Sequence, residues 1–68
     1  MKTKVKTNIG DKVEIKNVMI ETEFNTLEEG IDVFINGKYA FNMIGYSIDT
    51  VNIEELSDEV YDFKYSNQ

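Results

Sequence analysis

Ile31-Asp32-Val33-Phe34-Ile35-Asn36-Gly37-Lys38-Tyr39-Ala40-Phe41-Asn42-Met43-Ile44 decides the fold. Two β-prone runs flank Asn36-Gly37. A two-residue loop of this composition is the preferred type I′ turn, because both central residues must take positive φ and Asn and Gly tolerate it best. The stretch is therefore an antiparallel hairpin. The loop length sets Ile35 opposite Lys38, Val33 opposite Ala40 and Ile31 opposite Asn42 on one face. It sets Phe34 opposite Tyr39 and Asp32 opposite Phe41 on the other. Both faces are substantially apolar, one aliphatic and one aromatic, whereas a small antiparallel sheet can cover only one of them. Phe34, Tyr39 and Phe41 are accordingly either the core layer beneath a helix or an exposed cluster that anchors a partner.

Working back from the hairpin, Asn25-Thr26-Leu27-Glu28-Glu29-Gly30 reads as a connection, in the form of a helical turn opened by Asn25 and closed by Gly30. Before it, Val13 and Ile15 share one parity while Val18, Ile20, Thr22 and Phe24 share the other. The inward face of this strand therefore switches near Lys16-Asn17, as a bulge or bend would make it do. Asn8-Ile9-Gly10-Asp11 is a turn, with Gly10 free to take a positive φ. At the amino end Lys2, Lys4 and Lys6 alternate with Thr3, Val5 and Thr7, a terminal strand whose charged face guards against edge-to-edge aggregation.

Beyond the hairpin, Gly45 interrupts the second arm before Tyr46-Ser47-Ile48. Asn52 followed by Glu55 makes a capping box, Val51 and Leu56 stand where a hydrophobic staple needs them, and Ile53, Leu56, Val60 and Phe63 recur at helical spacing. Glu54, Glu55, Asp58 and Glu59 favour the positive end of the helix dipole. Against a continuous helix, Tyr61, Phe63 and Tyr65 alternate with Asp62 and Lys64 as an outer strand would. The expected fold is α+β, an antiparallel sheet of three or four strands with a carboxyl-terminal helix packed on one face. The alternative is a mostly β chain with a final edge strand at 59–65. At 68 residues the chain is expected to be one domain.

The inventory narrows the chemistry. His, Cys, Arg, Trp and Pro are absent. Thiol and imidazole catalysis, disulfides and zinc sites built on Cys or His are therefore excluded. A glycosidase-like carboxylate pair needs a cleft that so short a chain can hardly wall in, so no enzymatic activity is expected. EF-hand spacing is missing, and the four glycines at 10, 30, 37 and 45 are isolated at positions read as turns or bulges. Neither a metal nor a cofactor is expected. The longest apolar runs are three residues, far below a spanning helix, and no signal-like segment opens the sequence. Together with the absence of Cys, these features fit a cytoplasmic protein.

Charge is distributed unevenly along the chain. Residues 1–16 hold five Lys against Asp11 and Glu14; from residue 17 onward only Lys38 and Lys64 oppose eleven acids. The net charge of −6 and the lack of Arg argue against direct DNA or RNA binding. The row Glu54, Glu55, Asp58, Glu59 and Asp62 is either a solvated face that confers solubility or a negative surface for a basic partner, joined by Glu28, Glu29 and Asp32. Tyr61, Tyr65 or the hairpin aromatics Phe34, Tyr39 and Phe41 would anchor such a partner.

In general character, small, acidic, free of Cys and built as a few strands with one helix, the chain is similar to phage- or mobile-element-encoded inhibitors, including anti-CRISPR and DNA-mimic proteins. The likeness covers style, rests on no motif and transfers no residue. The function expected is non-catalytic protein binding, as an acidic inhibitor or regulator of a basic nucleic-acid-processing protein. The alternative is a structural or assembly subunit that closes a homodimer through an apolar sheet face.

Overall fold

The computed structural model describes residues 2–7 and 10–66. Four strands, β1 (Thr3–Val5), β2 (Val13–Glu21), β3 (Leu27–Ile35) and β4 (Lys38–Ile44), precede one helix, α1 (Ile53–Ser66). The strands form a single antiparallel sheet in the order β1-β2-β3-β4, and α1 packs on one face, an α+β architecture. Of the expected turn at Asn8-Ile9-Gly10-Asp11, Asn8 and Ile9 lie outside the described residues. Gly10 does take the left-handed conformation, with φ 80°.

The Asn36-Gly37 turn forms as its composition dictates, with φ 51° and 85°. Asn36 is also tied to β2: its amide donates to the Lys12 carbonyl at 2.8 Å, and its Oδ1 accepts from the Lys12 amide at 3.3 Å. The hairpin register differs from the one that loop length alone implies. Phe34 pairs with Tyr39 as expected, but Val33 pairs with Phe41, Asp32 with Asn42 and Ile31 with Met43, leaving Ala40 as the extra residue of a β-bulge. A straight ladder would set Ile31 and Val33 beside Asn42 and Ala40. The bulge sets them beside Met43 and Phe41, so the buried face becomes continuously apolar.

The expected bend in β2 is absent. β2 pairs with β3 without a register shift from Val13↔Ile35 to Glu21↔Leu27. The strand stays straight while the cover above it ends, so Val13 and Ile15 are buried on the helix side and Val18 and Ile20 are half-buried on the other side. The expected helical turn at 25–30 is also corrected, because Leu27 to Gly30 belong to β3. Five residues, 22–26, join β2 to β3, with Asn25 at φ 60° supplying the left-handed residue. It is closed by the Thr22 amide donating to the Thr26 carbonyl at 2.8 Å and by a 2.7 Å bond between the two threonine hydroxyls.

Gly30 is thus a strand residue and not a turn residue. A Cβ there would stand 2.4 Å from Ile20 Cδ1 and 2.7 Å from the Met43 carbonyl oxygen, so only glycine lets Ile20 lie across this rung.

Gly45, at φ 88°, ends β4, and its amide donates to the Glu29 carbonyl at 2.8 Å. The following loop is pinned to β2 where the Ile48 amide donates to Asn17 Oδ1 at 2.8 Å. Asn52 caps α1, its Oδ1 accepting from the Glu54 and Glu55 amides at 2.9 and 3.1 Å. The Glu55 carboxylate does not close the expected capping box; it accepts a hydrogen bond from the Tyr46 hydroxyl. The helix runs unbroken to Ser66, so the alternative edge strand at 59–65 does not form. Its apolar stripe closes the core: Leu56 and Val60 join Val13, Ile15, Ile31, Val33 and Met43, flanked by Val5, Ile35, Phe41, Tyr46, Ile48 and Val51. Near the helix end Lys64 pairs with Asp11, tying α1 to the β1–β2 connection.

Candidate functional site

Once Leu56, Val60 and Phe63 point into the sheet, the periodicity of α1 dictates which side chains face out. At about 100° per residue, Tyr61, Glu54, Tyr65, Asp58, Asp62, Glu55 and Glu59 fall in that angular order within an arc of about 160°. All seven are exposed, and no lysine interrupts them. The sequence-predicted acids and both helix tyrosines are thereby brought onto one surface. Tyr61 and Tyr65 stand one turn apart with ring centroids 4.5 Å from each other, forming an aromatic step beside Glu54 and Asp58.

The opposite border of this arc is fixed by Tyr46. Its hydroxyl bonds the Glu55 carboxylate, which raises the tyrosine pKa above its ordinary value; partial desolvation and the negative charges of Glu55 and Glu59 act in the same direction. The bond anchors one carboxylate of the arc to the loop after β4. At the other end of the helix, the hydrogen bond from Lys64 holds the Asp11 carboxyl below its ordinary value, against a smaller opposing effect of desolvation.

The hairpin aromatics do not join this surface. Because of the bulge at Ala40, Phe41 turns to the helix side and packs 5.5 Å, centroid to centroid, from Phe63. It belongs to the rim of the core. Phe34 and Tyr39 remain on the uncovered sheet face, edge to face at 6.0 Å, with the Lys2 amine 4.2 Å from the Phe34 centroid. Glu28 and Asp32 share that open face by strand parity, whereas Glu29 lies on the helix side.

A second surface escaped the reading of the sequence. β4 stops at Ile44, opposite Gly30, so β2 and β3 continue alone as a two-stranded arm ending at residues 22–26. The arm carries Met19, Phe24 and Leu27 at 60%, 79% and 65% exposure, together with Glu21, Glu23, Glu28 and Glu29. The parity switch at Lys16-Asn17 was its signal. It marks where helix cover ends, and a bend accounts for the same pattern equally well at the level of sequence.

Among the described residues, no group of three or more acidic side chains is arranged to hold a metal ion, and no helix is long and apolar enough to cross a membrane. No family of known proteins, no curated protein and no solved structure matches this chain. The functional argument therefore rests on the two surfaces themselves.

Proposed function

We propose that this protein is a non-catalytic protein-binding domain, an acidic inhibitor or regulator of a basic nucleic-acid-processing protein in the manner of anti-CRISPR and DNA-mimic inhibitors. The observation that carries the reading is the outer arc of α1: five carboxylates and two neighbouring tyrosines exposed together, with Lys64, which pairs with Asp11, reaching only the Tyr65 border. Opposite potentials steer encounter and reject wrong partners, while exposed tyrosines supply contact area at low entropic cost. Phosphate backbones would be repelled by the same arc, so the partner is a protein and not the nucleic acid itself. A cytoplasmic location goes with this reading, which needs neither cofactor nor metal.

The test is capture of the tagged protein's partner from nuclease-treated lysate at low and high salt, followed by assay of the recovered protein's activity. A basic nucleic-acid enzyme that is held at low salt, released at high salt and inhibited by the bound protein is the expected outcome. The variant Glu54→Gln, Asp58→Asn, Glu59→Gln, Asp62→Asn leaves the Tyr46–Glu55 bond intact and is expected to lose the partner. Undiminished binding by this variant would sink the reading.

A second reading, self-association, is favoured by the Phe34–Tyr39 pair on the uncovered sheet face. It is distinguished by sedimentation, where a salt-resistant dimer abolished by Phe34→Ser would select it.

A further inference from the structure

The uncovered face of the sheet has apolar ground at both ends, and this chain occupies only one of them. At the β1 end, the Lys2 amine sits over the Phe34 ring, so a lysine of the molecule itself rests on the sheet there. At the arm end, Ile20, Phe24 and Ile44 provide the apolar lining of an open groove whose walls include Glu23 and Glu28; no lysine lines it. Gly30 sets the position of one wall. Because it has no side chain, Ile20 lies across that rung toward Ile44. The threonine-closed turn holds Phe24 at its outer end.

We propose that this groove receives an arginine side chain presented by a basic protein partner, an inference that rests on the function proposed above and names a second contact for it. Three features fit that occupant. The aliphatic stem of arginine matches the apolar lining of Ile20 and Ile44. Its planar guanidinium stacks on an exposed aromatic ring such as Phe24 better than an ammonium does, and its fork suits the carboxylates of Glu23 and Glu28. Acids predominate around it, since residues 17–37 contain Glu21, Glu23, Glu28, Glu29 and Asp32 and no lysine, and the nearest cation on the same strand face, Lys16, stands opposite Asp32. An apolar peptide would leave the wall carboxylates without a counter-charge, and an acidic one would be repelled by them.

The probe is N-acetyl-arginine amide at millimolar concentration, followed by amide chemical shifts of the isotope-labelled protein, with N-acetyl-citrulline amide as its uncharged isostere. Expected are saturating shifts centred on Ile20, Phe24, Glu28 and Ile44 with the arginine compound and several-fold smaller ones with citrulline. Glu23→Gln combined with Glu28→Gln, both surface changes that leave the core untouched, should reduce the arginine shifts several-fold. Absence of shifts, shifts spread evenly over Glu54 to Asp62, or shifts that survive the double substitution would each overturn the groove. Capture from lysate separates the two proposals. A Glu23/Glu28 variant that keeps a partner lost by the helix variant refutes the groove and leaves the helix surface standing, whereas loss by both supports two contacts.

Discussion

In β2, Val13 and Ile15 lie beneath α1 and are sealed from solvent, whereas Met19, on the same face further along the strand, is 60% exposed. Nothing in the backbone distinguishes the two halves, which pair with β3 in one uninterrupted register. The difference is the roof. Over the first half, Leu56 and Val60 complete a core, and the loop anchored by Asn17 covers the boundary. Past that point the strand pair projects uncovered, and its apolar residues divide between both faces. Hydrophobic residues on this strand thus mark cover where the alternation is clean and exposure where it breaks down.

Truncation is the most severe way to break this contrast. Leu56→Ala, in the covered half, is expected to cost about 2–5 kcal/mol through lost burial and a residual cavity, whereas Leu27→Ala on the arm should stay within about 0.5 kcal/mol. Urea unfolding of both variants checks the pair, and equal losses would mean that the arm packs as part of the core. Next in size is Gly30→Ala, at the junction between the two halves. The added methyl meets Ile20 and the Met43 carbonyl, so a loss of about 1–3 kcal/mol is expected. Thermal unfolding reads it, and combining it with Ile20→Ala should restore part of the loss by removing the movable partner in the clash.

The smallest effect expected is on pH dependence, and it separates the two ends of α1. Asp11 is held below its ordinary pKa by Lys64, so its contribution is complete above the unfolded carboxylate pKa of about 4 and fades as pH falls through the lowered folded value. Tyr46 is held above its ordinary pKa by Glu55. Its contribution is complete below the unfolded tyrosine pKa of about 10 and fades as pH rises through the higher folded value. Asp11→Asn should therefore flatten the acid limb of the stability profile and, because the same bond holds the Lys64 amine above its ordinary value, part of the alkaline limb as well, whereas Tyr46→Phe should flatten the alkaline limb and leave the acid limb. If Tyr46→Phe also flattens the acid limb, the two ends of the helix are not independent.

Local chemistry was readable in advance and cover was not. Asn36-Gly37 specified its turn because the φ requirement is confined to two residues. Asn52, Val51 and Leu56 marked the helix start for a similar reason, since a cap is satisfied within one turn. The tyrosines at 61 and 65 read equally well as strand or helix, and the Leu56–Val60–Phe63 stripe, which needed the sheet to bury it, decided between them. The register of β3 and β4 failed because loop length fixes pairing only until a bulge intervenes. Its signal was the wish of Ile31 and Val33 for apolar neighbours, which Met43 and Phe41 meet and Asn42 and Ala40 do not. Glu28 and Glu29 resembled a helical turn in isolation, yet their partners are Ile20 and Met19, across the chain reversal.

The strands lie across the sheet in the order in which they occur in the chain. Every strand pairing therefore closes a short segment, and closure entropy for each is small. Hairpins with such connections form on the microsecond scale, and chains dominated by sequence-local contacts fold quickly. The helix is different, because Leu56 and Val60 rest on a cluster that includes Val13 and Ile15 from the other end of the molecule. Search time for this protein is thus concentrated in one docking event between a finished meander and an amphipathic segment, and the seal over Val13, Ile15, Ile31 and Val33 forms only when that event succeeds.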